Sequence, residues 1–202
     1  MDLELPQTQV EELINEVVTV SFLQVALQAE AQSLQLLLNE AALRADTTTI
    51  EGLLALLQQV ARALLDYSRC WTHVAASSQT LNTITAGEAL YNQLLNQERA
   101  KFSAETLTNV NGVITRQAPA IATRHATEPA YYVISLLLGT ADDRPLFGDI
   151  YSASVLRDVL DDIRMMQTRY LMVFDVLWSP QDQRETLTET DLSTEYPILV
   201  RI

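Results

Sequence analysis

Leu13, Val17, Val20, Leu27, Ala31, Leu34, Leu38 and Ala41 fall at steps of three, four or seven residues, and Phe22, Val25, Ala29 and Leu36 widen the stripe. That spacing predicts a helix over most of 21–44 that buries more than one side. Thr48 and Glu51 stand at capping-box spacing, in which a hydroxyl and a carboxylate each satisfy a free backbone N–H of the first turn. The helix they open carries Leu53, Leu54, Leu56, Leu57, Val60, Ala61, Leu64 and Leu65, enough apolar surface to pack on the first helix as an antiparallel hairpin. A short strand is expected over 70–76. Thr85 and Glu88 repeat the capping spacing for a third helix whose core face is Ala89, Leu90, Leu94 and Leu95. Ser103 is read as the cap of a short helix ended by Asn111-Gly112, and 115–129 as a loop.

The run over 131–138 is apolar at both parities, the pattern of a central strand covered on two faces. Val155, Leu156, Val159, Leu160, Ile163 and Met166 recur at helical spacing, and 170–178 is a second apolar strand. Strand, helix, strand predicts parallel pairing through a right-handed crossover. Ser179-Pro180 stops the second strand, Thr188 and Asp191 cap a last helical turn, and 198–202 is a candidate edge strand. The fold class expected is α+β: an N-terminal helical hairpin packed on a small mixed sheet containing a β-α-β unit. An acidic lead-in over 1–17 would precede a single domain over 18–202, helical over 18–67 and sheet-bearing over 68–202.

Charge narrows the partners. The 202 residues carry 13 basic and 26 acidic side chains, a net charge of −13, which repels nucleic acid and anionic lipid. Arg44 is the only basic residue before Arg62, whereas Glu11, Glu12 and Glu16 belong to an acidic run that would steer a basic protein partner. Cys70 is the single cysteine, so no intrachain disulfide forms. No uncharged apolar stretch approaches the roughly 20 residues that span a bilayer, and no signal-peptide pattern opens the chain.

Three constellations of side chains bear on chemistry. Asp158, Asp161 and Asp162 share one helix, with Asp142, Asp143 and Asp149 upstream, and could together hold Mg²⁺ or Ca²⁺. A solvated face with an Arg157–Asp161 pair and Arg164 nearby is the preferred reading. Cys70 and His73 have ligand spacing, but His125 is the only other histidine, and strand alternation sends the two to opposite faces. Asp175, inside an apolar strand, is expected to face solvent or pair with an arginine such as Arg169 or Arg201, the rival being a general acid of raised pKa. Glycine-rich phosphate loops, nucleophile elbows and His-Glu-x-x-His are absent from the sequence, so no cofactor is expected.

Three stretches in order, ERAKFSAETLTNVNG over 98–112, YVISLL over 132–137 and VLWSPQ over 176–181, resemble signatures of the cyanobacterial and chloroplast domain-of-unknown-function family 1517. DTTTIEGLLALL over 46–57 and the stretch from TLT at 186–188 to Tyr196-Pro197 add to the likeness. The resemblance implies no catalytic residues. It implies relatives with a glycine-rich arm and a membrane span before the domain, and plant members tied to chloroplast membranes and acclimation to fluctuating light. The sequence as written lacks that arm, so the expectation is an excised domain or a soluble paralogue, cytoplasmic in a cyanobacterium and associated with thylakoids. The family's usual segment after the central strand is replaced by the acidic 141–148. The leading expectation is a non-enzymatic domain that binds a protein through Glu11, Glu12, Glu16, Arg99, Lys101, Phe102, Glu105, Asn109 and Asn111. The rivals are a metal-dependent enzyme built on Asp158, Asp161 and Asp162, and a homodimer formed through the first helix.

Overall fold

A computed structural model describes residues 16–28, 31–101, 107–116, 130–181 and 185–202. In chain order these form β1 (Val18–Gln28), α1 (Gln32–Arg44), α2 (Ile50–Asp66), a 3-10 turn (Ser68–Cys70), β2 (Trp71–Leu81) and α3 (Ile84–Arg99). There follow β3 (Leu107–Val110), β4 (Val113–Arg116), β5 (Tyr131–Thr140), α4 (Ala153–Arg164), β6 (Leu171–Ser179), α5 (Glu189–Glu195) and β7 (Val200–Arg201). The class is α+β. A five-stranded sheet in the order β6-β5-β1-β2-β7 is antiparallel throughout, and β3-β4 is a separate hairpin.

The first correction concerns β1. Residues 18–28 are a strand, so the helical first part begins at Gln32 rather than near Ser21. Leu23, Val25 and Leu27 point into the core with α1, α2 and α4, while Val20, Phe22 and Ala26 join the cores under α3 and α5. A strand buried on both faces loses its polar alternation, and the leftover apolar positions imitated helical steps. Its hydroxyls are matched across the ladder: Thr19 lies 2.9 Å from Thr80 and Ser21 2.7 Å from Ser78, each pair directly opposed in register. Both hydroxyls therefore enter the interior with a partner.

The second correction concerns β5 and β6, which pair antiparallel, so the sheet is not mixed. Thr140 sits opposite Leu171, which means the strands meet at the end where the connection begins. The segment after β5 leads out, α4 leads back, and no crossover is made; the handedness rule governs only connections that change ends. Thr19 Oγ1 donates to the Asp142 carbonyl at 2.9 Å and Leu146 N to Ser78 Oγ at 2.9 Å, pinning the outgoing segment to the sheet.

The third correction is at 107–116. Asn111 and Gly112 have φ of 50° and 75°, the two positive values of a two-residue hairpin turn, so they join β3 to β4 instead of ending a helix. The loop reading of 115–129 fails at its start, since β4 runs to Arg116; Ser103 and residues 117–129 lie outside the described residues. Two caps shift as well. Thr49 and Thr83, not Thr48 and Thr85, accept from Gly52 N and Ala86 N. Thr188 and Asp191 form the expected capping box, and β7 is the edge strand at the C-terminus. The short strand expected over 70–76 starts at Trp71 and runs on to Leu81.

Gly52 yields a test of sign. A Cβ there would lie 1.9 Å from the Asp46 carbonyl oxygen. Gly→Ala in a helix ordinarily adds about 1 kcal/mol of stability. Here overpacking against backbone dominates, and Gly52→Ala is expected to lower stability by about 1–3 kcal/mol, read from the urea midpoint.

Candidate functional site

The face of the sheet covered by α3 and α5, its second face, carries buried polar groups supplied by α3. Tyr91 and Glu98 stand seven residues apart, two helical turns, and so point the same way, toward the sheet. Glu98 is 4% exposed, and its Oε2 accepts from Gln24 Nε2 at 2.8 Å and from Ser135 Oγ at 2.9 Å. Gln24 and Ser135 oppose each other in the β1–β5 register. Lys101 forms an ion pair with Glu98 Oε1, and its ammonium lies 4.8 Å from the ring centroid of Tyr196. Burial, with the nearby carboxylates adding, pushes the Tyr196 hydroxyl up to about 12. This arrangement holds a charge inside the molecule by giving each carboxylate oxygen a donor.

One position along the sheet, Tyr91 Oη donates to Asp175 Oδ2 at 2.7 Å, and Arg99 lies 3.9 Å from Asp175 Oδ1. Burial first, then the charge of Asp175, drives the Tyr91 pKa far above its ordinary value, so Tyr91 acts as a donor. The sequence reading of Asp175 as arginine-paired is met with a different arginine: Arg99 supplies the charge, while Arg169 lies over Tyr170.

Beside Asp175, at the edge of β6 that pairs with no other strand among the described residues, opens a groove of about 210 Å³. All six residues over 173–178 line it; since neighbouring strand residues point to opposite faces, the surface offered is the strand's backbone edge. Ala42, Leu53 and Leu56 of the helices on one face of the sheet, Arg99 of α3 on the other, and 109–111 of the β3–β4 hairpin complete its lining. The hairpin is fastened by Asn109, whose Nδ2 donates to the carbonyls of Ala42 at 2.6 Å and Ala45 at 3.0 Å, and by Gly112 N donating to Thr47 Oγ1 at 2.7 Å. A second hollow of about 400 Å³ lies between α3 and the sheet, lined by Ile84, Tyr91, Leu95, Met172 and Asp175 among others.

Of the residues singled out in the sequence, Arg99, Asn109 and Asn111 meet in this groove. Lys101 turns to Glu98 instead, and Glu16 is exposed just before β1. Glu11, Glu12, Phe102 and Glu105 lie outside the described residues. Asp161 pairs with Arg164 at 2.9 Å, not with Arg157, which reaches Ser68 Oγ at 3.0 Å and stacks over Trp71. Asp158 and Asp162 are exposed, and among the described residues no three His, Cys, Asp or Glu side chains gather as metal ligands would. Cys70 packs on the core of the first face, whereas His73, paired with Ala26, belongs to the second.

Burial lowers the His73 pKa below 6.5; Glu189 pulls it up and Arg201 pushes it down. The unfolded chain then holds the proton more readily than the folded one, so stability contributed by neutral His73 is lost as pH falls from about 6.5 through the depressed value. An NMR titration of His73 should show a midpoint below 6.5, lowered further by Glu189→Gln.

Sequence reasoning missed Gln24, Tyr91, Glu98 and Ser135. A glutamine within the apolar run of β1, and a tyrosine and a glutamate two turns apart on α3, were the available signals.

Residues 17–202 match the model of a family described as Protein of unknown function (DUF1517). The chain belongs to the DUF1517 family. It is 32% identical over 188 residues to Protein FLAP1 homolog A of Synechocystis sp., covering 90% of the chain and 56% of that protein. It is 33% identical over 177 residues to FLUCTUATING-LIGHT-ACCLIMATION protein 1, chloroplastic, of Arabidopsis thaliana, covering 88% of the chain and 45% of that protein. The chain thus spans about half the length of these curated relatives. No solved structure matches it. In this DUF1517 chain three of the five stretches that carried the family likeness meet at one place: 46–57, 98–112 and 176–181 all contribute walls of the groove beside β6, whereas 132–137 and 186–197 do not. Among the described residues, no helix is long and apolar enough to cross a membrane.

Proposed function

We propose that this chain is a non-enzymatic interaction domain that serves photosynthetic acclimation to fluctuating light by binding a protein, at or near thylakoid membranes of a cyanobacterium. One observation carries the reading: segments far apart in sequence, each part of the family likeness, converge on the groove between β6 and the β3–β4 turn. The printed names of its relatives supply the physiological setting. The ionised side chains nearby are committed to one another, Glu98 to Lys101 and Asp175 to Tyr91 and Arg99, which suits a recognition surface better than acid–base turnover.

Val110 lines the groove and is 48% exposed; Met165, at the end of α4, is 69% exposed and does not line it. A partner retained saturably from photosynthetic lysate should bind the Val110→Arg domain about tenfold more weakly, a loss of roughly 1.4 kcal/mol, while Met165→Arg leaves binding unchanged. Absence of any saturable partner, or equal effects of the two substitutions, would count against the proposal.

A further inference from the structure

We propose that the outer edge of β6 accepts an extended, basic segment of a partner protein as an added strand. The inference rests on the interaction-domain reading and specifies its partner. The sheet has two outer strands, and they differ. On one side β7 is only two residues long, a common way of blunting an edge. On the other side β6 runs for nine residues, LMVFDVLWS, without proline or lysine, and its one register shift lies at its start, opposite Gly139/Thr140. Among the described residues its only ladder partner is β5. A long edge whose one charged residue, Asp175, is already held by Tyr91 and Arg99 is a template for another strand.

The groove decides the shape of the occupant. Residues 109–111 of the β3–β4 hairpin, tied by Asn109 to the end of α1, line the same groove as β6, and a second copy carrying the same net charge of −13 is disfavoured there. A single extended chain is the occupant proposed. Its side chains would alternate: one set facing Ala42, Leu53 and Leu56, the other facing Asp175 and Arg99. The first set is apolar by complementarity.

Charge decides the rest. Arg99 is the only basic residue lining the groove among the described residues, and it already faces Asp175. Asp46, next to the lining Thr47, is held ionised by hydrogen bonds from Thr48. With a net charge of −13 on the chain, a segment bearing lysine or arginine is drawn in and an acidic one repelled.

The test uses random dodecapeptides displayed on phage, selected on the immobilised domain and resynthesised. Expected are peptides with alternating apolar residues and basic charge that bind saturably and slow hydrogen exchange at β6 amides. N-methylation of the peptide backbone should weaken binding about tenfold at every second position and little at the positions between, since only alternate amides face β6. Peptides that bind without a two-residue methylation period, or leave β6 exchange unchanged, overturn strand addition while leaving the interaction reading intact. Failure to select any saturable binder also overturns it. The interaction reading itself falls only if the lysate experiment on Val110→Arg fails.

Discussion

Lys101→Met is expected to cost about 3–5 kcal/mol of folding stability, the usual penalty for leaving a buried carboxylate without its cation. Glu98 is 4% exposed, and its Oε1 has Lys101 as its ion-pair partner. Gln24 and Ser135 remain on Oε2 but supply no charge. The double variant Glu98→Gln with Lys101→Met should recover most of the loss, because a neutral pair of similar volume avoids the desolvation of two ions. Urea unfolding of the four proteins in the cycle measures both effects. A single-variant loss under about 1 kcal/mol, the scale of an exposed pair, would mean that Glu98 reaches water.

Leu23→Ala should cost about 2–5 kcal/mol, as a fully buried leucine leaves a cavity that neighbours fill only in part. Leu23 is 0% exposed and is opposed by Leu136 on one side and Ala76 on the other. Phe22→Ala, on the opposite face beside Tyr91 and Leu137, should cost a comparable amount. Large losses at two adjacent positions distinguish a strand enclosed by two layers from a helix at the surface, where one of the two neighbours would tolerate the change within about 0.5 kcal/mol. Thermal or urea unfolding of the two variants gives the comparison.

What the sequence made legible follows from how local each signal is. β5, α4, β6 and the capping box of α5 depend on runs and periods within their own residues, and they appear where expected. β1 was misread because burial on both faces is set by α3 and α5 far along the chain, and burial erased the alternation that identifies a strand. The pairing direction of β5 and β6 depends on where 141–170 leads, and a helix between two strands is compatible with either direction. The turn at Asn111-Gly112 carried a hairpin signal as strong as its helix-ending one, and the strand character of 107–110 decides between them. The site was half legible. Arg99, Asn109 and Asn111 were found through the family likeness, and Asp175 through its conflict with an apolar strand. Glu98 passed unnoticed because a glutamate near a helix end is ordinarily solvated; only Gln24 and Ser135, 74 and 37 residues away, reveal that it is inside.

The working surface proposed is the groove beside β6, not the acidic start of the chain or the aspartates of α4. Photoreactive side chains installed one at a time at Val110, Asn111, Glu16 and Asp158, in cells carrying the protein, test it directly. The same partner adduct is expected from positions 110 and 111 and none from 16 or 158; adducts from 16 or 158 with none from the groove would place the contact elsewhere.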